Sequence, residues 1–259
     1  MRKIFLMLTT ALFSFDARAV TCTATPECAA LGYKYTETEC EKGAVKCPSG
    51  SSYFCPNPRP KCNIGDIFYT DYTCVAAANH NSSKTVLGIV VHVNNNGVGG
   101  QIMAPWPIDA NGNKNSSNVG MYWSTKYVDI SSLPNLSHSE ASTDYDSCGN
   151  TNKIVAQGNA GTYPAAWAAR KYAPTTDTAG KWCLPAAGIM TNIYNNQDAI
   201  QTAISKVGGV SYPSCCNWSS SEKSSDSAWY SGLYNSYGVG SNGNKNYAGY
   251  GYVRPVLEF

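Results

Sequence analysis

The sequence predicts an α+β domain preceded by a small disulfide-rich segment, on three observations. Strand-like apolar runs lie at both ends of the longer part of the chain with helical patterns between them, so its sheet is assembled from both ends. Seven of the eleven cysteines crowd between Cys22 and Cys74, in a stretch poor in aliphatic residues. Such a stretch buries too little apolar surface to fold by its core, and disulfides must hold it.

In chain order, residues 1–19 pair a positive start (Arg2, Lys3) with an apolar run from Ile4 to Phe15 and the small-residue end Ala17-Arg18-Ala19. This is the pattern of a secretory signal, too short to span a bilayer comfortably, with the mature chain starting near Val20. An uncleaved anchor is the alternative, and it is the only route to a membrane that the sequence offers. Export favours structural disulfides and places the protein in the periplasm, outside the cell or on the surface of a bacterium. Eleven being odd, one thiol is left free or pairs with another molecule.

Residues 20–75 form the disulfide-stapled segment; their spacings do not match zinc sites, and no histidine lies among them. No metal or cofactor is expected. Residues 76–85 are a polar joint, and residues 86–259 the main domain. Val86 to Val93 is β-branched and reads as a buried strand; Asn94 to Gly97 turns the chain, and Gly100 to Trp106 returns as a second strand. Asp109 to Asn115 alternates oxygen-bearing side chains, but an EF-hand loop requires Gly and Glu where Lys114 and Gly120 stand, so it reads as a polar surface loop. Thr151–Gln157 and Pro164–Tyr172 are helical. Pro185 opens another helix with Ile189, Met190 and Ile193 on one face; Ile200, Ala203, Ile204 and Val207 continue the pattern after a break near Asn195-Asn196.

From Asn217 to Tyr252 most residues are Ser, Gly, Asn or Tyr, the types that recognition loops favour. Four blocks stand in order: Trp182-Cys183-Leu184-Pro185 before a helix, Asn217-Trp218-Ser219-Ser220-Ser221-Glu222, Ala228-Trp229, and Tyr252-Val253-Arg254-Pro255-Val256. On these blocks residues 86–259 resemble the bacterial DUF1566-type C-type-lectin-like domains, which include variable proteins of diversity-generating retroelements. The resemblance implies a twisted antiparallel sheet with two helices, paired termini and a loop region presented to solvent. It further implies that adenine-directed mutagenesis exchanges residues between Tyr230 and Tyr250.

Strand alternation from Trp229 puts Trp229, Ser231 and Leu233 on the core face and Tyr230, Gly232 and Tyr234 on the other. With Asn235, Tyr237, Asn242, Asn244, Asn246, Tyr247 and Tyr250 these three are the candidate ligand contacts, and the stretch from Asn242 to Tyr247 is read as exchangeable throughout. Trp182, Trp218, Glu222, Trp229 and Arg254 are the expected frame. Glu222 and Arg254 are expected to pair with each other or to bond to backbone, bracing the edges of the display surface. Cys148, Cys183, Cys215 and Cys216 are expected to form two bridges from the helical region to the loop before Trp218; a bond between the adjacent Cys215 and Cys216 is the alternative.

No enzyme is expected. His80, His92 and His138 stand in no pattern with Ser and Asp, and Asp144, Asp146 and Glu222 have no defined separation. A net charge of +2 without a basic face excludes nucleic acid as the expected partner. The calcium and sugar motifs of true C-type lectins, Glu-Pro-Asn and Trp-Asn-Asp, are absent. The reading is a ligand-binding protein recognising a protein or glycan at a cell or host surface. Its alternatives are a structural envelope or adhesion protein and, behind that, an enzyme of the formylglycine-generating type.

Overall fold

The structure, a computed structural model, describes residues 61–94, 99–232, 241–247 and 251–259, and the backbone of strands β1 (Val45–Lys46) and β2 (Tyr53–Phe54). Residues 1–19, expected to be a secretory signal, and the cysteines from Cys22 to Cys55 lie outside the described residues. By its contacts the chain divides into two units, residues 1–29 with 33–57, and residues 30–32 with 58–259. In the first, β1 and β2 form a two-stranded antiparallel pair.

The larger unit is built on a five-stranded antiparallel sheet. Its strands are β3 (Ile67–Tyr69), β4 (Cys74–Val75), β5 (Val86–Val93), β6 (Gly100–Met103) and β10 (Val256–Glu258), in the spatial order β10-β6-β5-β3-β4. The β-branched run of β5 takes the central position because both its faces are covered. Ile89 and Val91 pack with Ile67, Met103 and the helices α4 (Ala187–Asn195) and α5 (Gln197–Lys206). Val90 packs with Phe68, Ile102, Trp182 and the alanines of helix α3 (Pro164–Lys171). The last strand, β10, pairs with β6, so the sheet is indeed drawn from both ends of the unit.

The sheet that holds the Val86–Val93 strand also takes in strands from before Val86. Residues expected in the stapled segment supply β3, which pairs with β5, and β4, which pairs with β3 and is tied by the Cys62–Cys74 disulfide to the segment before β3. Cysteine and proline density hid a strand, Ile67-Phe68-Tyr69, whose three side chains are all buried.

Two short helices precede α3. Helix α1 (His138–Ala141) opens on a capping box made by Ser137 and Glu140, and α2 (Ser147–Gln157) is capped by the Asp146 carboxylate on the Gly149 N–H. Pro164 occupies the first turn of α3, and the α4–α5 break falls at Asn196. Five α-helices thus stand among the described residues, against the two that the resemblance implied. The fold is α+β with antiparallel sheets, and none of its described helices is long and apolar enough to cross a membrane.

A second antiparallel sheet follows: β7 (Asn217–Glu222), β8 (Ser227–Ser231) and β9 (Ser241–Asn244), in that spatial order. All six residues of β7 are buried although four are Ser or Asn. Two of the three serines are accommodated because their hydroxyls bond within the protein, whereas the Ser220 hydroxyl has no partner among the described residues. Ser219 Oγ donates to the Trp229 carbonyl at 2.7 Å, and Ser221 Oγ donates to the Asp144 carboxylate at 2.6 Å while accepting the Ala187 N–H.

The disulfides correct one expectation. Cys148 pairs with Cys183, tying α2 to the segment that enters α4, and Cys215 pairs with Cys216. No bridge runs from the helical region to the loop before Trp218, because Cys183 is held beside Cys148 by its two backbone bonds to Val256.

Candidate functional site

The site is built on a buried ion pair. Glu222 ends β7 and Lys245 follows β9, and both side chains are fully enclosed. The Lys245 ammonium donates to Glu222 Oε1, to the Val128 carbonyl at 3.0 Å and to the Ser225 carbonyl at 3.2 Å, so its three N–H groups each have an acceptor. Glu222 also accepts the Ile130 N–H, and the Lys245 ammonium lies 4.8 Å from the centre of the Trp123 ring. Burial pushes the Glu222 carboxyl up and the Lys245 ammonium down, and the hydrogen bond between them pulls each back. The Lys245 carbonyl accepts the N–H groups of Trp123 and Ser124. One lysine therefore fastens the end of β9 to β7, to the β7–β8 turn and to the segment from Met121 to Ile130.

This corrects the reading of Asn242 to Tyr247 as uniformly exchangeable. Lys245 belongs to the support, whereas Asn244, Asn246 and Tyr247 around it are exposed. The sequence carried a signal for it, since Lys245 is the one charged residue between Tyr230 and Tyr250.

Glu222 and Arg254 do not pair. Arg254 is fully buried and donates to the carbonyls of Pro105, Val210 and Ser211, with its guanidinium 5.6 Å from the Tyr212 ring centre. Burial lowers it to about 10, against the pull of Tyr212. Arg254 thus holds the turn after α5, while Glu222 holds the end of β9. Trp182 is enclosed edge-to-face against Tyr172, and Trp229 is buried with its indole N–H on the Leu136 carbonyl.

A cleft of about 110 Å³ is lined among the described residues by Cys216, Trp218, Tyr230, Gly243, Asn244, Tyr247 and Gly251. Trp218 forms its floor. Its indole N–H donates to the Met121 carbonyl at 2.8 Å, and its ring meets Tyr230 edge-on at 5.9 Å. The two glycines are required by close approach. A Cβ on Gly243 would stand 2.7 Å from Tyr230 and 2.8 Å from Trp218, and one on Gly251 would stand 1.8 Å from the indole nitrogen.

Of the sequence-derived contacts, the fold brings Tyr230, Asn244 and Tyr247 to this cleft. Asn246 is exposed beside it in the chain, its N–H on the Asn244 side-chain oxygen. Tyr230 is half-buried rather than outward-facing, because it packs on Trp218. Gly232 is buried, with the Ser214 carbonyl and Cys215 Cα filling the space where a side chain would project. Asn242 lies in β9 opposite Trp229. Tyr234, Asn235, Tyr237 and Tyr250 lie outside the described residues. Two residues that the sequence did not single out, Tyr122 and Tyr127, are exposed in the segment bonded to Lys245.

The histidines stand apart from this cleft: His80 bonds the Tyr69 hydroxyl, His92 stacks on Tyr145 and bonds Asn192, and His138 meets the Trp229 ring. Among the described residues no three His, Cys, Asp or Glu side chains gather as a metal site.

An α+β domain that carries an uncharged, tyrosine-bearing cleft and a buried ion pair is the class that fold and site define. No family model matches the sequence, and no curated protein does. Among solved structures the fold is similar to that of a fimbrial protein from Bacteroides ovatus, with a TM-score of 0.53 at 15% identity, over 76% of this chain and 49% of that one. This chain spans about half that protein's length, and at this identity the likeness carries the fold alone.

Proposed function

We propose that the protein is an exported, non-catalytic binding protein of the adhesin type, which meets a protein or glycan at a cell or host surface through the cleft and the exposed residues around Lys245. The observation that carries the reading is a small, uncharged aromatic cleft whose lining residues Asn244 and Tyr247 are exposed while Lys245, which lies between them in sequence, is buried. Tyrosine gives broad contact at low entropic cost, and a fixed support keeps that cost low on binding. The disulfides Cys62–Cys74 and Cys148–Cys183 suit an oxidising compartment, and the similarity to a fimbrial protein supports a surface role.

The test uses the full chain as a fluorescent probe on intact bacterial and epithelial cells. Saturable staining is expected, weakened tenfold or more by Tyr247→Ala without change in near-ultraviolet circular dichroism. Staining that ignores this substitution would overturn the reading in favour of a structural envelope protein.

We further propose that this face is diversified by a retroelement, and the support beneath it predicts where. Among sister isolates, differences are expected at Asn244, Asn246 and Tyr247, at adenine-bearing codons, and not at Gly243 or Lys245. Gly243 has no room for a side chain, and Lys245 would leave a buried carboxylate unpaired. Sequencing the gene across isolates checks this, and changes scattered evenly over the domain would rule it out.

A further inference from the structure

We propose that the cleft between Trp218 and Tyr247 receives a neutral sugar ring, an assignment that rests on the binding reading above. None of its described lining side chains is charged, and the nearest opposite charges, Glu222 and Lys245, are spent on one another and sealed from solvent. An anionic or cationic ligand would give up its hydration in the cleft and meet no counter-charge there. An uncharged ligand gives up far less.

The aromatic content points to a ring with an apolar side. Trp218 and Tyr230 meet at an interplanar angle of 89°, and with Trp218 almost wholly buried the half-buried Tyr230 and the exposed Tyr247 present the accessible aromatic surface. The C–H face of a pyranose packs on one such surface while its hydroxyls point away from it. Those hydroxyls need partners that both donate and accept. A tyrosine hydroxyl does both, and the Asn244 amide adds N–H donors that form no bond among the described residues, its oxygen being taken by the Asn246 N–H.

Size agrees as well. At about 110 Å³ the cleft is smaller than a cavity of about 150 Å³ that encloses benzene, so it seats one side of a single ring and leaves the rest in solvent. Positions 243 and 251 are glycine because a side chain at either would collide with Trp218, so a substitution there displaces the aromatic walls of the cleft. Further sugars of a chain would pass over the exposed surface, where Tyr122 and Tyr127 stand in the segment bonded to Lys245.

The experiment is an array of neutral glycans ending in hexoses, N-acetylhexosamines and deoxyhexoses, with sialylated glycans and phosphocholine as charged arms, probed with the full chain. Hits are followed by titration of tryptophan fluorescence. At least one neutral terminal sugar is expected to bind saturably, with affinity falling tenfold or more in Tyr247→Ala and also in Gly243→Val. Should Gly243→Val fail to fold, Tyr247→Ala alone decides. Binding confined to phosphocholine would make the cleft a cation cage, and binding confined to sialylated glycans would also overturn the proposal. No binding on the array, with cell staining still sensitive to Tyr247→Ala, would remove the sugar and leave the binding face standing. Cell staining insensitive to Tyr247→Ala would remove both.

Discussion

Lys245→Met is expected to destabilise the fold by about 3–5 kcal/mol at neutral pH, because it strips the counter-charge from a carboxylate that has no access to water. The substitution preserves most of the apolar stem, so packing changes little and the charge imbalance dominates. The double variant Glu222→Gln with Lys245→Met is expected to recover a large part of the loss, since a neutral amide still accepts the Ile130 N–H. The variant also carries a pH signature. Burial already raises Glu222 above its ordinary value of 4.5, and loss of Lys245 removes the pull that opposes this. A carboxyl whose folded value is raised contributes stability that is full below its unfolded value and is lost as pH rises through the folded one. The deficit of Lys245→Met should therefore shrink as pH falls towards the unfolded glutamate value. Urea denaturation of wild type and both variants, at neutral pH and near that acidic value, measures this. A single variant as stable as wild type, or a double variant worse than the single, would show that the pair does not hold β9.

What the ion pair explains is how a stretch of Ser, Gly, Asn and Tyr acquires a fixed shape. Such a composition supplies little apolar surface, and the hairpin edge formed by β9 would gain little from packing alone. Lys245 substitutes electrostatic and hydrogen-bonded attachment for the missing core, reaching Glu222, Val128 and Ser225 at once. The exposed neighbours can then vary without undoing the fold. The buried Lys245 carries the attachment, and the proposed recognition falls to the exposed residues beside it.

The same contrast governs what could be read from the chain. Val86 to Val93 was legible because a β-branched run has few other fates, and Pro164 and the Asn195-Asn196 break were legible because their effect is local. Strand β3 was not, since its pairing with β5 lies outside its own cysteine-rich neighbourhood. Strand β7 is polar by composition, and only the remote Asp144 carboxylate and the Trp229 carbonyl across the hairpin make the Ser221 and Ser219 hydroxyls suitable for burial. For the site, the tyrosines announced themselves by type, and Tyr230 and Tyr247 do reach one cleft. The burial of Lys245 depended on a partner across two strands, and the choice of backbone carbonyls over Glu222 by Arg254 depended on the turn after α5. Residue type carried the chemistry, and long-range pairing decided which residues were available to use it.

Trp218→Ala is expected to cost about 3–5 kcal/mol, the range for truncating a large buried aromatic side chain. Trp218 is only 3% exposed, and its neighbours are poorly able to collapse onto the space it leaves. Gly243 and Gly251 have no side chains to move inward, and Gly251 is held at its carbonyl by the Met121 N–H. The Met121 carbonyl also loses its indole donor, which adds the penalty of a buried acceptor left unpaired. Trp218→Phe separates the two contributions, retaining ring packing against Tyr230 and losing the donor, with an expected cost of about 1–2 kcal/mol. Denaturant midpoints of the three proteins give the stabilities, and binding by Trp218→Phe gives the functional consequence, because that variant keeps the aromatic floor beneath Tyr247. If Trp218→Ala lost less than about 1 kcal/mol, the indole would not be the packed floor of the cleft, and the close fit of Gly243 and Gly251 against it would need another cause.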